Sequence, residues 1–155
     1  MDSTRFMCEA EPLLTPLYRI AYCILRSQAD AEDAVQQGLL RAFETRARIR
    51  EGSFRPYVTR IVINESRNIQ RHRMRVSPMA EPWQDSPFLP PDPFVMDAVH
   101  TLPEKLRIPF ILKYMEHYTE KEVADAMRLP ASTIKSRLAR ARDSLRQELR
   151  EEVYI

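Results

Sequence analysis

Apolar residues recur at intervals of three and four along most of the chain, with polar residues between them. This spacing places apolar side chains on one face of an α-helix, whereas a half-buried strand alternates every second residue. In the first half the apolar positions are Leu13, Leu17, Ile20, Ala21 and Ile24, then Val35, Leu39, Ala42 and Phe43, then Val58, Ile61, Val62 and Ile69. In the second half they are Val95, Val99, Leu102, Leu106, Phe110 and Tyr114, then Val123, Ala124 and Met127, then Ile134, Leu138, Ala141, Leu145 and Leu149. Since no strand pattern competes, the sequence predicts an all-α fold.

Two helices near the end of the chain carry local start and stop signals. Thr119 and Glu122 have the spacing of a capping box, in which each side chain satisfies a free backbone amide of the other residue. Residues 129–131, Leu-Pro-Ala, interrupt the apolar pattern after this short helix. Ser132 or Thr133 is then expected to cap the final helix.

A proline-rich stretch divides the chain. Residues 77–93 contain six of the twelve prolines, and proline both lacks an amide donor and disfavours helix in the residue before it. The stretch is therefore predicted to be a linker. It separates two small helical domains, residues 1–76 and residues 94–155.

Composition excludes several classes of protein. With 155 residues and 2 glycines, the chain has a modest core and lacks the turn residues of an all-β fold or a Gly-rich phosphate loop. No apolar run approaches the roughly 18 residues of a membrane span, so membrane insertion is not expected. The N-terminus does not read as a signal peptide, and Cys8 and Cys23 fit neither a disulfide scaffold nor a metal site, which favours a cytoplasmic protein.

The net charge of +2 hides an uneven distribution. Residues 1–38 sum to −3 and residues 76–99 to −4, whereas residues 39–75 hold ten arginines against three glutamates, a net of +7. A second basic segment, residues 132–146, holds five cations against one aspartate. Local charge within a Debye length of about 8–10 Å attracts a polyanion, so these two segments are candidate nucleic-acid surfaces.

The second basic segment lies on the helix that follows the break. A short capped helix, a tight break and a longer basic helix together form the helix-turn-helix pattern. At 100° per residue, Lys135, Ser136, Ala139 and Arg140 share the face opposite the apolar stripe, where they could contact bases or phosphates. An ordinary amphipathic helix with an arginine-rich outer face is the alternative.

The first basic segment has aromatic residues among its arginines. Phe54, Tyr57 and Asn64 stand among these cations: Arg46, Arg48, Arg50, Arg55, Arg60 and Arg67. Arginine pairs with phosphate and an aromatic ring stacks on an unpaired base, so the mixture suits single-stranded nucleic acid. The alternative is that Phe54 and Tyr57 pack a helical core, and Phe54 taken alone favours this alternative.

Asp30, Glu32 and Asp33 form an acidic cluster at the start of the second predicted helix. Paired carboxylates can serve acid–base catalysis or hold a metal, but no His, Cys or further acid stands at ligand spacing. Favourable placement at a helix N-terminus and a docking patch for a basic partner are the other interpretations. We expect no catalytic residues, no metal and no cofactor.

These segments resemble the motifs of bacterial sigma factors in their family order. DAEDAVQQ at residues 30–37, followed by LRAF at 40–43, resembles the family's DAEDLVQExFLRAW, and FRPYVTRI at 54–61, followed by Asn64, resembles FRAWLYRIARN. LPEKLR at 102–107 and YTEKEVA at 118–124 resemble LPxxxR and SYxEIA. PASTIKSRL at 130–138 is similar to PxGTVKSRL. With two domains, called regions 2 and 4, the chain looks like an extracytoplasmic-function (group IV) sigma factor.

The resemblance implies three binding surfaces. Docking on the core RNA polymerase is assigned to Asp30, Glu32, Asp33, Gln36, Gln37 and Arg41. Recognition and melting of the −10 element is assigned to Arg46, Arg48, Ile49, Arg50, Phe54, Tyr57, Arg60, Asn64 and Arg67. Recognition of the −35 duplex is assigned to Thr133, Lys135, Ser136, Arg137, Ala139 and Arg140.

The resemblance also implies the partners: core RNA polymerase through its β′ and β subunits, promoter DNA and an anti-sigma factor. The chain departs from the family pattern at Gln37, where Glu is usual, at Tyr57, where Trp is usual, and at Ser132, where Gly is usual. Two other functions stay open at this stage. One is a sigma-like DNA-binding regulator that does not stably hold polymerase, and the other is a small enzyme that uses Asp30 and Asp33.

Overall fold

The computed structural model describes residues 1–76 and 93–153, and within these residues the regular elements are helical. The α-helices are α1 (Ser3–Ala10), α2 (Leu14–Leu25), α3 (Gln28–Glu44), α4 (Phe54–Val76), α5 (Pro93–Thr101), α6 (Glu104–Phe110), α7 (Glu120–Met127) and α8 (Ala131–Val153). Short 3₁₀ turns at Glu11–Leu13 and Arg46–Arg48 and a π-helical turn at Ile111–Met115 complete the path. The all-α prediction is confirmed. None of the described helices combines the length and apolar character needed to cross a membrane.

The chain divides into two compact units, Met1–Leu89 and Pro90–Ile155. The prediction of two helical domains is thereby confirmed. The predicted linker lies outside the described residues except for its last residue, Pro93, which is the first residue of α5. Proline suits the start of a helix because its missing N–H would have no intrahelical partner there.

The first unit is a bundle in which α2, α3 and α4 pack on one another. Leu17 and Leu25 of α2 are fully buried, as are Ala31 and Ala34 of α3. Small residues on α3 let the helices approach closely, most of all at Gly38. A Cβ atom there would lie 2.7 Å from Val62 Cγ2 and 3.2 Å from Val62 Cα on α4, so only glycine fits this crossing.

Helix α1 is an element that the apolar spacing did not predict. Asp2 caps its N-terminus, since the Asp2 side chain accepts a hydrogen bond from the Arg5 N–H at 2.7 Å. Its buried Phe6 packs edge-to-face against Phe43 and Phe54, with ring centroids 5.3 Å apart in both pairs. A single helical turn of apolar contact explains why no repeat was visible in the sequence.

The second unit is built from α5 to α8 around the inner stripe of α8. Ile134, Leu138 and Ala141 are buried, as the apolar spacing predicted. The capping box of α7 is also confirmed, because Thr119 Oγ1 accepts from the Glu122 N–H and Glu122 Oε1 accepts from the Thr119 N–H, both at 3.1 Å.

The predicted cap of α8 is wrong. The helix begins at Ala131, so Ser132 and Thr133 already lie in its first turn. The carbonyl oxygen of Pro130 accepts the hydrogen bond from the Ile134 N–H at 3.2 Å, which makes Pro130 the residue that enters the helix. Proline can take this place because an entering residue needs a carbonyl oxygen but no N–H.

Candidate protein and nucleic-acid interfaces

Five of the six predicted docking residues are exposed on α3, and four of them lie together on its outer face. Glu32, Asp33, Gln36 and Gln37 are exposed, while the small residues of the same helix face the bundle. Leu40, which is 53% exposed, continues this strip by one turn. The sequence contained a signal for Leu40, since it falls at i+4 from Gln36 and i+7 from Asp33, two predicted docking residues.

The start of α3 is fixed by two hydrogen bonds. Ser27 Oγ accepts from the Asp30 N–H at 3.3 Å, and the Tyr18 hydroxyl donates to the Gln28 carbonyl oxygen at 3.0 Å. Burial, assisted by the negative charge of Glu32, raises the pKa of Tyr18. The phenol therefore stays protonated at neutral pH and keeps its donor role, which holds the acidic turn in place.

Asp30 has a different environment from the rest of the acidic cluster. Its Oδ2 atom lies 3.0 Å from Arg73 Nη1, and Arg73 Nη2 donates to the Leu25 carbonyl oxygen at 2.7 Å. Arg73 thus joins the end of α4 to the end of α2 and the start of α3. The side chain of Asp30 is half-buried and engaged in this ion pair, so it helps to hold these helices together.

Arg41 also contacts another helix of the bundle, although 61% of its side chain is exposed. Its Nε atom lies 2.8 Å from Glu65 Oε1, and the Glu65 side chain is only 10% exposed, on the buried side of α4. The pair neutralises a carboxylate that would otherwise be buried without a counter-charge, which is costly. Neither Arg73 nor Glu65 was singled out in the sequence, because their partners are 43 and 24 positions away.

The loop between α3 and α4, residues 45–53, contains three arginines of the first basic segment, Arg46, Arg48 and Arg50. Arg48 and Arg50 are exposed and Ile49 is half-buried between them. Arg46 instead folds back on α3: its guanidinium lies 4.1 Å from the centroid of the Phe43 ring and donates to the Phe43 carbonyl oxygen at 2.8 Å. The loop closes at Gly52, whose φ of 76° favours glycine.

The outer face of α4 carries four predicted strand-binding residues in one row. Tyr57, Arg60, Asn64 and Arg67 follow one another at steps of three, four and three, which keeps them on one side of the helix. The Tyr57 hydroxyl lies 2.6 Å from Thr45 Oγ1, and the Arg60 guanidinium lies 5.2 Å from the centre of the Tyr57 ring. Asn64 is exposed in the middle of the row.

Phe54 does not belong to this exposed row. Only 8% of it is exposed, and its ring packs against Phe6 in the interior of the first unit. A ring held in this way cannot stack on a base without breaking that packing. The assignment of Phe54 as a direct DNA contact is therefore corrected: Phe54 is a core residue that fixes the start of α4.

The outer face of α8 carries the predicted duplex-reading residues. Lys135, Ser136 and Arg140 are exposed, and Thr133, Arg137 and Ala139 are half-buried at the edges of the same face. Farther along the helix, Arg142 Nη1 donates to the Tyr114 hydroxyl at 2.5 Å. A buried apolar stripe opposite an exposed row of cations and a hydroxyl is the arrangement that a helix needs to lie in a major groove.

No group of three or more His, Cys, Asp or Glu side chains in residues 1–76 and 93–153 is arranged to hold a metal ion. Within the acidic cluster, Asp30 is bound to Arg73 and Asp33 points away from the bundle. What the surfaces offer chemically is charge, hydrogen-bonding groups and a partly exposed aromatic ring.

Family models match both units: Sigma-70 region 2 over residues 10–76 and Sigma-70, region 4 over residues 95–145. The ECF RNA polymerase sigma factor SigE of Mycolicibacterium smegmatis is 27% identical over 146 residues, with 86% of this chain and 57% of the relative covered. The ECF RNA polymerase sigma-E factor of Haemophilus influenzae is 25% identical over 144 residues, with 79% of this chain and 76% of the relative covered. The chain therefore spans little more than half the length of the mycobacterial relative.

Two solved structures share the fold. The sigma factor RpoE of Bartonella quintana, in complex with the anti-sigma factor NepR, matches with a TM-score of 0.77 and 24% identity over 94% of this chain and 97% of that chain. CnrH, in complex with the cytosolic domain of CnrY, matches with a TM-score of 0.74 and 19% identity over 97% of this chain and 90% of that chain. Because region 2 matches the first unit and region 4 the second, the chain belongs to the sigma-70 family, in the extracytoplasmic-function group.

Proposed function

We propose that this protein is an RNA polymerase sigma factor that directs core polymerase to a specific set of promoters. The observation that carries the proposal is the pairing of two different nucleic-acid surfaces in one chain. The row on α4 has an aromatic ring and an exposed amide, which suit unpaired bases. The row on α8 has the cations and hydroxyl that suit a duplex groove.

Docking on polymerase is proposed for the exposed strip of α3, with the β′ subunit as the main partner and β as the second subunit contacted. Glu32 and Asp33 supply negative charge and Gln36 and Gln37 supply hydrogen-bonding groups. Complementary charge speeds the encounter and selects the partner more than it adds affinity. Asp30 and Arg41 support the strip because their side chains bind residues of α4.

Recognition of the −10 element is proposed for the loop at residues 45–53 together with the row on α4. Extruding a base from the duplex costs a few kcal/mol, which contacts in the new environment must offset. Tyr57 is suited to stacking, Asn64 to hydrogen bonding with a base edge, and Arg60 and Arg67 to the phosphates. Arg48, Ile49 and Arg50 at the tip of the loop are the residues placed to select the base.

Recognition of the −35 element is proposed for the outer face of α8. Lys135, Arg137 and Arg140 can contact guanine edges or phosphates, and Ser136 and Thr133 can bond to either kind of group. Ala139 leaves room for a base or its methyl group to approach the helix.

An anti-sigma factor is the proposed regulatory partner. Both structural neighbours were solved with a protein bound: the sigma factor RpoE with the anti-sigma factor NepR, and CnrH with the cytosolic domain of CnrY. A binder that covers the exposed strip of α3 would compete directly with polymerase.

Run-off transcription with core polymerase on a fragmented genomic library tests the proposal. A sigma factor yields specific transcripts whose upstream sequences share two spaced elements. Transcripts that do not depend on the protein would contradict the proposal. A pull-down of core polymerase then separates a sigma factor from a DNA-binding regulator, because the regulator forms no stable complex with the enzyme.

Asn64→Ala addresses the −10 role within the same assay. We expect the substitution to impair formation of the open complex while binding to core polymerase is unchanged, since Asn64 lies on α4 and not on the exposed strip of α3. Gln147→Ala, which removes an exposed amide from α8, is the matched control. A loss of core binding in Asn64→Ala would show instead that Asn64 is structural.

A further inference from the structure

Helix α1 contacts both ends of the loop at residues 45–53. Phe6 packs edge-to-face on Phe43, in the last turn of α3, and on Phe54, in the first turn of α4, with 5.3 Å between ring centroids in each pair. Phe6 itself is 3% exposed. One side chain of α1 therefore joins the two points from which the loop leaves the bundle.

Arg5, the residue before Phe6 in α1, holds the loop next to its tip, at Glu51. Arg5 Nη2 donates to Glu51 Oε1 at 2.6 Å, across 46 positions of sequence, and Arg5 Nε lies 3.7 Å from Glu9 Oε1 one turn along α1. The hydrogen bond with Arg5, together with its positive charge, lowers the pKa of Glu51. Glu51 is thus ionised and bound at neutral pH.

The backbone of the loop has only short-range support of its own. The Arg48 N–H donates to the Thr45 carbonyl oxygen at 2.9 Å, the Ile49 N–H to Arg46 at 3.1 Å and the Ser53 N–H to Arg50 at 3.0 Å. Turns of this kind open easily when nothing farther away holds them. A loop that samples several conformations must be ordered on binding, and it discriminates poorly between ligands that differ in a few groups.

We propose that α1 is the positioning element of the −10 specificity loop, with Phe6 fixing its two ends and Arg5 fixing its tip through Glu51. This inference rests on the proposed function, because it concerns how the loop selects a base. Arg5 acts through Glu51 and is not itself a DNA contact. Its guanidinium faces two carboxylates, Glu9 and Glu51, which neutralise the positive charge that would otherwise attract a phosphate.

The experiment measures the loop in two independent ways on the full chain. Hydrogen exchange reports opening of the loop at the amides of Arg48, Ile49 and Ser53 without any DNA. Binding of the polymerase complex to a single-stranded −10 oligonucleotide, and to versions with one base replaced, gives a discrimination ratio. The variants are Arg5→Ala, Glu51→Gln, the double variant and the conservative Arg5→Lys.

We expect Arg5→Ala and Glu51→Gln each to speed exchange of the loop amides and to lower the discrimination ratio by about two- to fivefold, a modest change because the pair is exposed. The double variant should lose no more than either single variant, because the two side chains act as one unit. Arg5→Lys should recover most of both properties. Asp143→Asn, which removes an exposed ion pair in α8, is the matched control and should change neither property.

Two results would overturn the inference. One is loop exchange that is the same in Arg5→Ala as in the wild-type protein. The other is an equal loss of affinity for every oligonucleotide, with the ratio retained, which would make Arg5 a phosphate contact. A wild-type protein that shows no base preference would refute the proposed function and the selectivity assigned to the loop together, whereas failure of the inference alone leaves the wild-type preference intact.

Discussion

Helices α4 and α8 are both 23 residues long, amphipathic and rich in arginine, yet their polar residues have different roles in the two units. Helix α4 packs against two helices, and Thr59, Glu65 and Ser66 are buried on its inner side. Helix α8 buries an apolar stripe, and its described residues 131–150 include no buried polar residue.

The difference shows that the sequence of an arginine-rich helix does not indicate which of its cations stabilise the fold. In the bundle around α4, Arg73 and Arg41 bind the carboxylates of Asp30 and Glu65. Along the start of α8 the cations project from the face opposite the core. Substitution of Arg73 therefore tests stability, whereas substitution of the exposed cations on α8 tests DNA affinity.

The largest effect is expected from Gly38→Leu, which would break the close approach of α3 to α4. The new side chain would collide with Val62, whose Cα atom cannot move without the helix. We expect the free energy of unfolding of the first unit to fall by about 3 kcal/mol. Urea unfolding followed by circular dichroism measures it. Ala139→Leu on the outer face of α8 is the control and should shift stability by about 0.5 kcal/mol or less.

Arg73→Ala should cost about 1–2 kcal/mol of stability, because it removes two hydrogen bonds that join three helices of the first unit. Arg146→Ala is the counterpart on α8, where the ion pair with Asp143 is exposed and 4.0 Å long. That variant should stay within about 0.5 kcal/mol of the wild-type protein. Equal losses of stability in the two variants would show that the cations of the two units contribute alike to the fold.

Arg140→Ala should leave stability unchanged and weaken binding to a −35 duplex by about fivefold. If Arg140 contacts a phosphate, the slope of log affinity against log salt should fall by about one unit. Fluorescence anisotropy over a range of salt concentrations measures both quantities. Arg146→Ala, farther along the same helix, should change neither, and an affinity for Arg140→Ala equal to the wild-type value would remove Arg140 from the interface.

The smallest effect concerns pH. Arg5 lowers the pKa of Glu51, so the ion pair is fully formed above the ordinary glutamate value of 4.5 and is lost as pH falls through the lower value in the folded protein. The faster loop exchange of Glu51→Gln, compared with the wild-type protein at neutral pH, should therefore vanish on acidification, after correction for the intrinsic rate. A difference that persists at the acidic end would show that another contact holds the loop.

The sequence predicted most of the helices because their apolar residues keep a helical spacing over two or more turns. It predicted the capping box of α7 for a similar reason, since the interacting groups lie within one turn. It did not predict α1, whose contact with the bundle depends on one buried ring, and it placed the start of α8 too late. Phe54 shows the same limit of sequence analysis. An aromatic residue among arginines gives the same sequence pattern whether its ring packs in the core or contacts DNA.

What the sequence by itself determined is therefore local or repeated: the helical class, the division into two units, the uneven charge and the ordered motifs of the sigma-70 family. Only the tertiary structure decided which charges pair with one another. Arg5 with Glu51, Asp30 with Arg73 and Arg41 with Glu65 are separated by 46, 43 and 24 positions, and no periodicity links such residues. The physical reason is that an ion pair depends on distance in space, which helix packing sets, whereas a pattern along the chain reports only neighbours within a turn or two.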